Sequence, residues 1–485
     1  MINTKLIYKI LGSLLFLEQG FMLWCLIMAV AYGEDDQLPF LSAMIITLGA
    51  GIGLKYLGRD AENTMSRHDA YLVVTLAWLV FSIFGSIPFL VGGYLTNPTD
   101  AFFETMSGFT TTGATIIDNV EVLPHGLLFW RSLTQWIGGL GIVFFTIAIL
   151  PSFVGGNVRI FSAEATGPVR TKLHPRLSTT AKWIWTVYLV LTLACVISFM
   201  LAGMGLYDSV NYSMTLTATG GFSPHNESLA FFHSATIDYI AILFQFLSGI
   251  NFTLLYFILF KGKFKQIRQN SELKFYIFLI LSATIIIMYL LMKNNGYSLS
   301  DALRSSLFQV VSFMTTTGLF NDDAGQWPHL TWVVLGILMF SGACAGSTSG
   351  GFKCIRGLMV FKVIRNEFRR ILHPKAVLPI KVNGQSIPSS SLPTLMSFFA
   401  IFVLACLFTA TLMIAMGVDN TNAITISLSC ISNVGPTLGT QIGPEMSWSG
   451  LPDVIKWTCS ILMLVGRLEI FSVLLLFTPD FWKDN

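Results

Sequence analysis

Long apolar runs alternate with short ones along this chain, and the alternation repeats. Ile10–Tyr32 and Leu38 to about Leu57 come first, each long enough for a helix to cross a hydrocarbon layer of ~30 Å. Beyond them one pattern occurs four times: a crossing run, a short segment opened by an acid and closed by a glycine, and a second crossing run. The opening runs are Tyr71–Tyr94, Trp183–Met204, Phe275–Met292 and Leu395–Met416. The short segments begin at Asp100, Asp208, Asp301 and Asp419, and a carboxylate suits a helix N-terminus. Three to four helical turns reach only about 20 Å, so these segments enter the layer without crossing it. The pattern predicts four re-entrant half-helices. The closing runs start near Leu127, Ile237, Trp332 and Val454, and share Trp136-Ile137-Gly138, Leu247-Ser248-Gly249, Phe340-Ser341-Gly342 and Leu464-Val465-Gly466.

The short segments end in Thr110-Thr111-Thr112-Gly113, Thr217-Ala218-Thr219-Gly220, Thr315-Thr316-Thr317-Gly318 and Ser432-Asn433-Val434-Gly435. One such run is equally a site of close helix packing by small residues. Four in equivalent places are a fourfold internal repeat. Non-helical backbone at this depth is tolerated only where protein buries it or where it lines a watery cavity. Glycine accepts positive φ and leaves carbonyls uncrowded. Grouped around an axis, four such loops at the partly negative ends of half-helices can replace water around a monovalent cation. The candidate ion-binding residues are Thr111, Thr112, Gly113, Thr219, Gly220, Thr316, Thr317, Gly318, Asn433, Val434 and Gly435, acting mainly through backbone carbonyls.

On these motifs the chain resembles, over essentially its whole length, the TrkH/TrkG/KtrB superfamily of potassium transporters, and within it the TrkH-type subunit of bacterial Trk systems. The resemblance implies an all-α polytopic membrane protein with four pseudo-symmetric, potassium-channel-like units and a two-helix prefix. The expected division is 1–66 for the prefix, then 67–178, 179–270, 271–385 and 386–485 for the units. Potassium is the implied permeant ion. A homodimer, surrounding membrane lipid and a cytosolic TrkA-like nucleotide-binding ring are the implied partners. The fourth loop, Ser432-Asn433-Val434-Gly435-Pro436, departs furthest from a potassium-channel filter, so cation conduction is better founded than strict potassium selectivity.

A second candidate site interrupts the last helix of the third unit. Gly342-Ala343-Cys344-Ala345-Gly346-Ser347-Thr348-Ser349-Gly350-Gly351 lies where a crossing helix should continue. Glycine costs about 1 kcal/mol per helical position relative to alanine, so the helix should break there. A plain hinge fits this composition. The family resemblance implies an intramembrane gate. Lys353 follows, an ammonium costing roughly 2.5–3.5 kcal/mol at membrane depth unless it snorkels to the interface. Arg467 lies inside the last helix, where it either faces the pore or joins a structural pair; Glu469, two residues on, is turned away from it.

Composition narrows the classes: 53% of 485 residues are hydrophobic, 11% are charged, and the mean hydropathy is +0.68. This is a polytopic membrane protein. The first run is longer than a signal-peptide core. With Met1 in the cytoplasm and ten crossing helices, most of the 29 Lys and Arg fall inside, as the positive-inside rule requires. They cluster at Arg159, Arg170, Lys172, Arg176 and Lys182, at Lys261, Lys263, Lys265, Arg268 and Lys274, and from Arg356 to Lys381. A bacterial cytoplasmic membrane with both termini inside is expected. The seven cysteines show no Cys-x-x-Cys, and the histidines show no metal-ligand spacing. With no phosphate-binding glycine motif, nucleotide is expected on a partner, and nucleic acid on neither. A symporter would need intramembrane carboxylates, and Glu104 is the one acid inside a half-helix beyond its start. A membrane enzyme would need His, Asp or Glu clustered at depth.

Overall fold

The computed structural model describes residues 2–62, 64–141, 177–262, 265–376, 378–388, 391–439 and 442–483. The basic linker residues Arg159, Arg170, Lys172 and Arg176, and also Lys263, lie outside the described residues. The chain opens as an antiparallel pair of helices, Thr4–Tyr32 and Gln37–Leu57, turned at Gly33 with φ 69°. Glu34, just past the turn, holds the His125 ring at 2.8 Å and so fastens this prefix to the return helix of the first unit.

Each unit then starts with a long helix: Arg67–Gly85 continued by Ile87–Val91, Leu177–Leu201, Ser271–Leu290 and Ser391–Ala415. Ser66 and Asp69 form a capping box that fixes where the first of these begins. Among the described residues, six helices are long and apolar enough to cross a membrane, and two further helix pairs pass if each bent pair counts as one span.

The expected half-helices are Pro98–Phe109, Leu206–Thr217, Leu299–Met314 and Asn420–Ser432. Their starts differ from expectation in one respect: only Asp419 is itself a cap, accepting from the N–H groups of Thr421 and Asn422. Asp100, Asp208 and Asp301 lie in the first turn instead, behind Asn97, Gly205 and Ser298. Short side-chain oxygens of Asn and Ser satisfy the free N–H groups directly, while an acid in the first turn still meets the positive end of the dipole.

The return helices depart further. A break was expected only in the third, where His329–Ser341 and Cys354–Leu372 flank the glycine-rich stretch. The second breaks too, turning by 103° between Ala235–Ser248 and Phe252–Lys261, and the fourth turns by 112° between Asp453–Arg467 and Phe471–Phe477. Asn251 caps the restarted helix by accepting from Thr253 N–H. Glu469 and Ile470 reach φ 62° and 45° at the fourth break. A small hairpin, Lys381–Val382 against Gln385–Ser386, turns on Asn383-Gly384; Asn-Gly is a strong two-residue hairpin signal.

Candidate ion-binding site

The half-helices end in loops of one repeated backbone form. Thr111, Thr219, Thr316 and Asn433 have φ between 54° and 58°, and two residues later Gly113, Gly221, Gly318 and Gly435 have φ between 78° and 97°. The residue between them bonds five back into its own half-helix: Thr112 to Ser107, Gly220 to Thr215, Thr317 to Ser312 and Val434 to Ser429, at 2.8–3.0 Å. Both observations correct the second loop by one position. Gly221, not Gly220, is the counterpart of Gly113, and Gly220 stands where loops 1 and 3 carry threonine. Spacing alone could not separate two adjacent glycines. The return-helix motif slips likewise: Tyr188 Oη donates to Trp136 O as Tyr276 Oη donates to Phe246 O, so Gly138 matches Ser248 and not Gly249.

The loops meet in a closed ring. A Cβ on Gly113 would overlap the carbonyl oxygen of Gly220; one on Gly221, that of Thr317; one on Gly318, that of Val434; one on Gly435, that of Thr112. Each glycine thus abuts the same carbonyl of the next loop, in chain order and back to the start. Alternating left- and right-handed residues send N–H groups to one side and carbonyls to the other. The N–H groups of Thr111, Thr112, Thr219, Gly220, Thr316, Thr317, Asn433 and Val434 are spent on the half-helix behind. Among the described residues no donor reaches the carbonyls of Thr111, Thr112, Thr316 or Thr317. All candidate side chains in the ring are buried, none more than 1% exposed.

Side chains behind the ring hold it. Thr110 and Thr112 hydroxyls pair at 2.8 Å, and Thr315 and Thr317 at 2.7 Å. Asn433 donates to Thr112 Oγ1 at 3.0 Å and to Met463 O at 2.9 Å, joining loop 4 to loop 1. Glu104 supports loop 1 from behind: it accepts from Thr115 Oγ1 and Ile116 N–H at 3.0 Å and from Arg131 Nε at 2.9 Å, with both charged side chains buried. Arg131 was missed, although a lone cation inside an apolar run demands a partner.

On the far side of the four glycines a cavity of about 100 Å³ opens, lined by Gly113, Gly221, Gly318 and Gly435 and, at its rim, by Asp118, His225 and Glu445. Partial burial and the charges of Asp323, Asp322 and Glu227 push the Glu445 carboxyl up to about 7. Burial pulls His225 down, but Asp208 and Glu121 outweigh it and hold the imidazole above its ordinary range.

The stretch Gly342–Gly351 lies against the opposite face, touching residues that precede the glycines. Thr348 Oγ1 donates to Thr217 O at 3.0 Å, Gly350 N–H donates to Thr316 Oγ1 at 2.7 Å, and a Cβ on Gly350 would strike Ser432 O. Second-unit groups anchor its first half: Cys344 N–H bonds Gly249 O, Phe252 N–H bonds Gly346 O, and Asn251 bonds Ala345 O. Glu272, which no sequence signal singled out, accepts from Ala345 N–H at 2.6 Å. Ala343, Cys344, Ala345, Thr348, Ser349 and Gly350 are buried; Gly346 and Ser347 are more open. Lys353 is buried as well, with φ 77°, its ammonium on Ser349 O. It does not snorkel. Arg467 donates to Thr348 O, Gly138 O and Gly139 O at 2.6–2.8 Å, and Glu469 pairs with Arg356.

Four helix, half-helix, loop and return-helix units closed in a ring define an all-α, multi-pass membrane protein of the re-entrant-loop kind. The family model described as TrkH, cation transport protein, matches residues 37–484. The Trk system potassium uptake protein TrkH of Halomonas elongata is 35% identical over 483 residues, covering 99% of this chain and 100% of the relative. That of Escherichia coli is 35% identical over 488 residues with the same shares. The crystal structure of the potassium transporter TrkH from Vibrio parahaemolyticus superposes with a TM-score of 0.90 at 35% identity, covering 99% of this chain and 100% of that one. The chain belongs to the TrkH family of cation transport proteins, and is a transporter rather than an enzyme.

Proposed function

We propose that this protein takes up potassium across the bacterial cytoplasmic membrane through the axis of the four-loop ring. The observation that carries this reading is the cyclic contact of each loop glycine with the preceding-residue carbonyl of the next loop. Backbone carbonyls at the negative ends of four half-helices stand in for the hydration shell of a monovalent cation. The relatives are named as potassium uptake proteins, and potassium is the permeant ion we assign.

Gly342–Gly351 acts as the gate, held under the ring by Arg467 and Lys353. The basic helix that follows, from Arg356 to Arg370, passes the pull of a cytosolic nucleotide-binding ring to this loop. Both termini lie in the cytoplasm, the acidic rim faces outward, and the protein pairs as a homodimer in lipid. The reading is tested by current–voltage curves in bilayers under opposed potassium and sodium gradients. A reversal potential that follows the potassium gradient alone supports a potassium pore. One that follows both gradients at a fixed stoichiometry supports symport and sinks the uncoupled pore.

A further inference from the structure

Loop 2 lacks the side-chain pair that braces loops 1 and 3. Where loops 1 and 3 have the hydroxyl pairs Thr110 with Thr112 and Thr315 with Thr317, loop 2 has Ala218 and Gly220. The place is not empty. A Cβ on Gly220 would fall on the side-chain amide of Gln135, which comes from the first unit's return helix, His125–Gly139. Gln135 is fully buried; its Nε2 donates to Gly220 O at 2.8 Å and its Oε1 accepts from Phe222 N–H at 3.0 Å. It therefore binds loop 2 on both sides of Gly221. The same amide lies beside Gly113, at the seam between loops 1 and 2.

The second return helix offers a comparison. Gln245 stands one residue before Phe246, as Gln135 stands one before Trp136, and it is equally buried. Its amide has no hydrogen-bond partner among the described residues, and the next loop of the ring carries Thr317 in place of a glycine. The directed pair of bonds occurs where the loop side chain is missing.

We infer that Gln135 is a positioning residue for the ion path: it replaces, from a neighbouring unit, the side chain that loop 2 lacks, and so sets where Gly220 O and Gly221 stand and how well potassium is told from sodium. This inference rests on the four-loop ring being the ion path. Among the four equivalent carbonyls, those of Thr112, Gly220, Thr317 and Val434, only that of Gly220 receives a side-chain donor among the described residues. A buried amide bonded on both sides holds that carbonyl in one orientation.

The test is the sodium-to-potassium permeability ratio from reversal potentials, which does not depend on expression level. Gln135→Met keeps the volume and removes both bonds; it should raise the ratio by about fivefold to tenfold, in keeping with the loss of directed hydrogen bonds. Gly220→Thr alone should collide with Gln135 and disturb the ratio as well. The double variant Gln135→Ala with Gly220→Thr should return it to near the parent value, because a threonine side chain then fills the place the amide left, as Thr112 and Thr317 do in loops 1 and 3. An unchanged ratio in Gln135→Met, or a double variant no better than its singles, overturns the inference. So does failure of both Gln135 variants to insert, since Gln135 would then support the fold and not the preference. Gly318→Ala serves as the control: if it too leaves the ratio unchanged, the ring itself is not the filter, whereas a shift there alone removes only the role of Gln135.

Discussion

Arg467 donates to the carbonyl oxygen of Thr348 at 2.8 Å, and through this one bond the last helix of the fourth unit holds the glycine-rich loop of the third. Its other nitrogen reaches Gly138 and Gly139 of the first unit. Three units are thereby tied at the loop by a single guanidinium. Glu469 does not neutralise Arg467 but takes Arg356, which the two-residue separation on a helix foreshadowed. Hydrogen bonds from a charged donor contribute about 1.5–3 kcal/mol each. Arg467→Ala should shift the loop toward release by at least tenfold in population, raising potassium flux in the absence of any activating partner. Flux that stays low, in protein of normal abundance and size-exclusion profile, would place Arg467 in a purely structural role.

The register of loop 2 makes a sharp comparison available. Gly221 has φ 83° and its Cβ would meet the backbone carbonyl of Thr317, whereas Gly220 lacks positive φ and its Cβ would meet the movable end of Gln135. A residue other than glycine in the left-handed region costs about 1 kcal/mol even before any clash. Gly221→Ala should therefore abolish potassium preference, as should Gly113→Ala and Gly318→Ala, and Gly220→Ala should be milder. Equal severity at 220 and 221 contradicts the backbone register.

How much of this was legible in the sequence depends on the kind of signal. The half-helices and three of their four glycines were, because Asp100, Asp208, Asp301 and Asp419 and the small-residue runs recur at membrane depth; in the second loop Gly220 was read in place of its neighbour Gly221. The break at Gly342–Gly351 was also legible, since four glycines in ten residues make a helix costly. The breaks after Ser248 and Arg467 were not. Neither contains such a run, and the contacts made at them are tertiary: Asn251 reaches a third-unit carbonyl, and Gly466 is pressed on Ile431 O. Gln135 was silent for the same reason, because its role exists only where Gly220 leaves space in another unit.

Glu104 and Arg131 are a buried ion pair at 2.9 Å behind loop 1. Removing one member leaves the other charge unpaired, which costs about 3–5 kcal/mol. Arg131→Met should lower the thermal midpoint of detergent-solubilised protein by several degrees, and Glu104→Gln with Arg131→Met should recover much of the loss. A double-mutant cycle over the four thermal midpoints, of the parent, Glu104→Gln, Arg131→Met and the double variant, checks the coupling. Additive losses would show that the two side chains act separately.

The rim of the cavity titrates in the physiological range. The Glu445 carboxyl, raised to about 7, is neutral below that pH and charged above it, and His225, held above its ordinary range by Asp208 and Glu121, takes its proton more readily than a free imidazole as pH falls. Both changes make the rim less negative as pH falls. At low ionic strength, where such fields act furthest, lowering the outer pH from about 8 to about 6 should reduce inward current, and Glu445→Gln should flatten that dependence. The stability sign follows from the raised carboxyl: the folded form is favoured while Glu445 is protonated, fully so below about 4.5, and this contribution is lost as pH rises through about 7. A current unaffected by outer pH in 10 mM-range salt would remove Glu445 and His225 from the ion's approach.

The loop itself is the last and strongest test of the gate. A gate needs two arrangements separated by only a few kcal/mol, so that differential binding by a regulator can move the population. The contacts of Gly342–Gly351 fit that scale: Thr348 on Thr217 and Gly350 on Thr316 at the underside of two loops, and Arg467 on Thr348 and Lys353 on Ser349 beside them, are single hydrogen bonds. They can be exchanged for water or for one another without unfolding a helix. Removing part of Ala343–Thr348 takes away the Thr348 contact and draws Gly350 off Thr316, while leaving His329–Ser341 and Cys354–Leu372 intact. The shortened protein should conduct with no regulator present, and Lys353→Ala should do so in part, since it loses only the tie to Ser349. Measured as potassium flux into proteoliposomes with and without the regulator, a shortened variant that still conducts only in its presence would falsify the assignment of this loop as the gate.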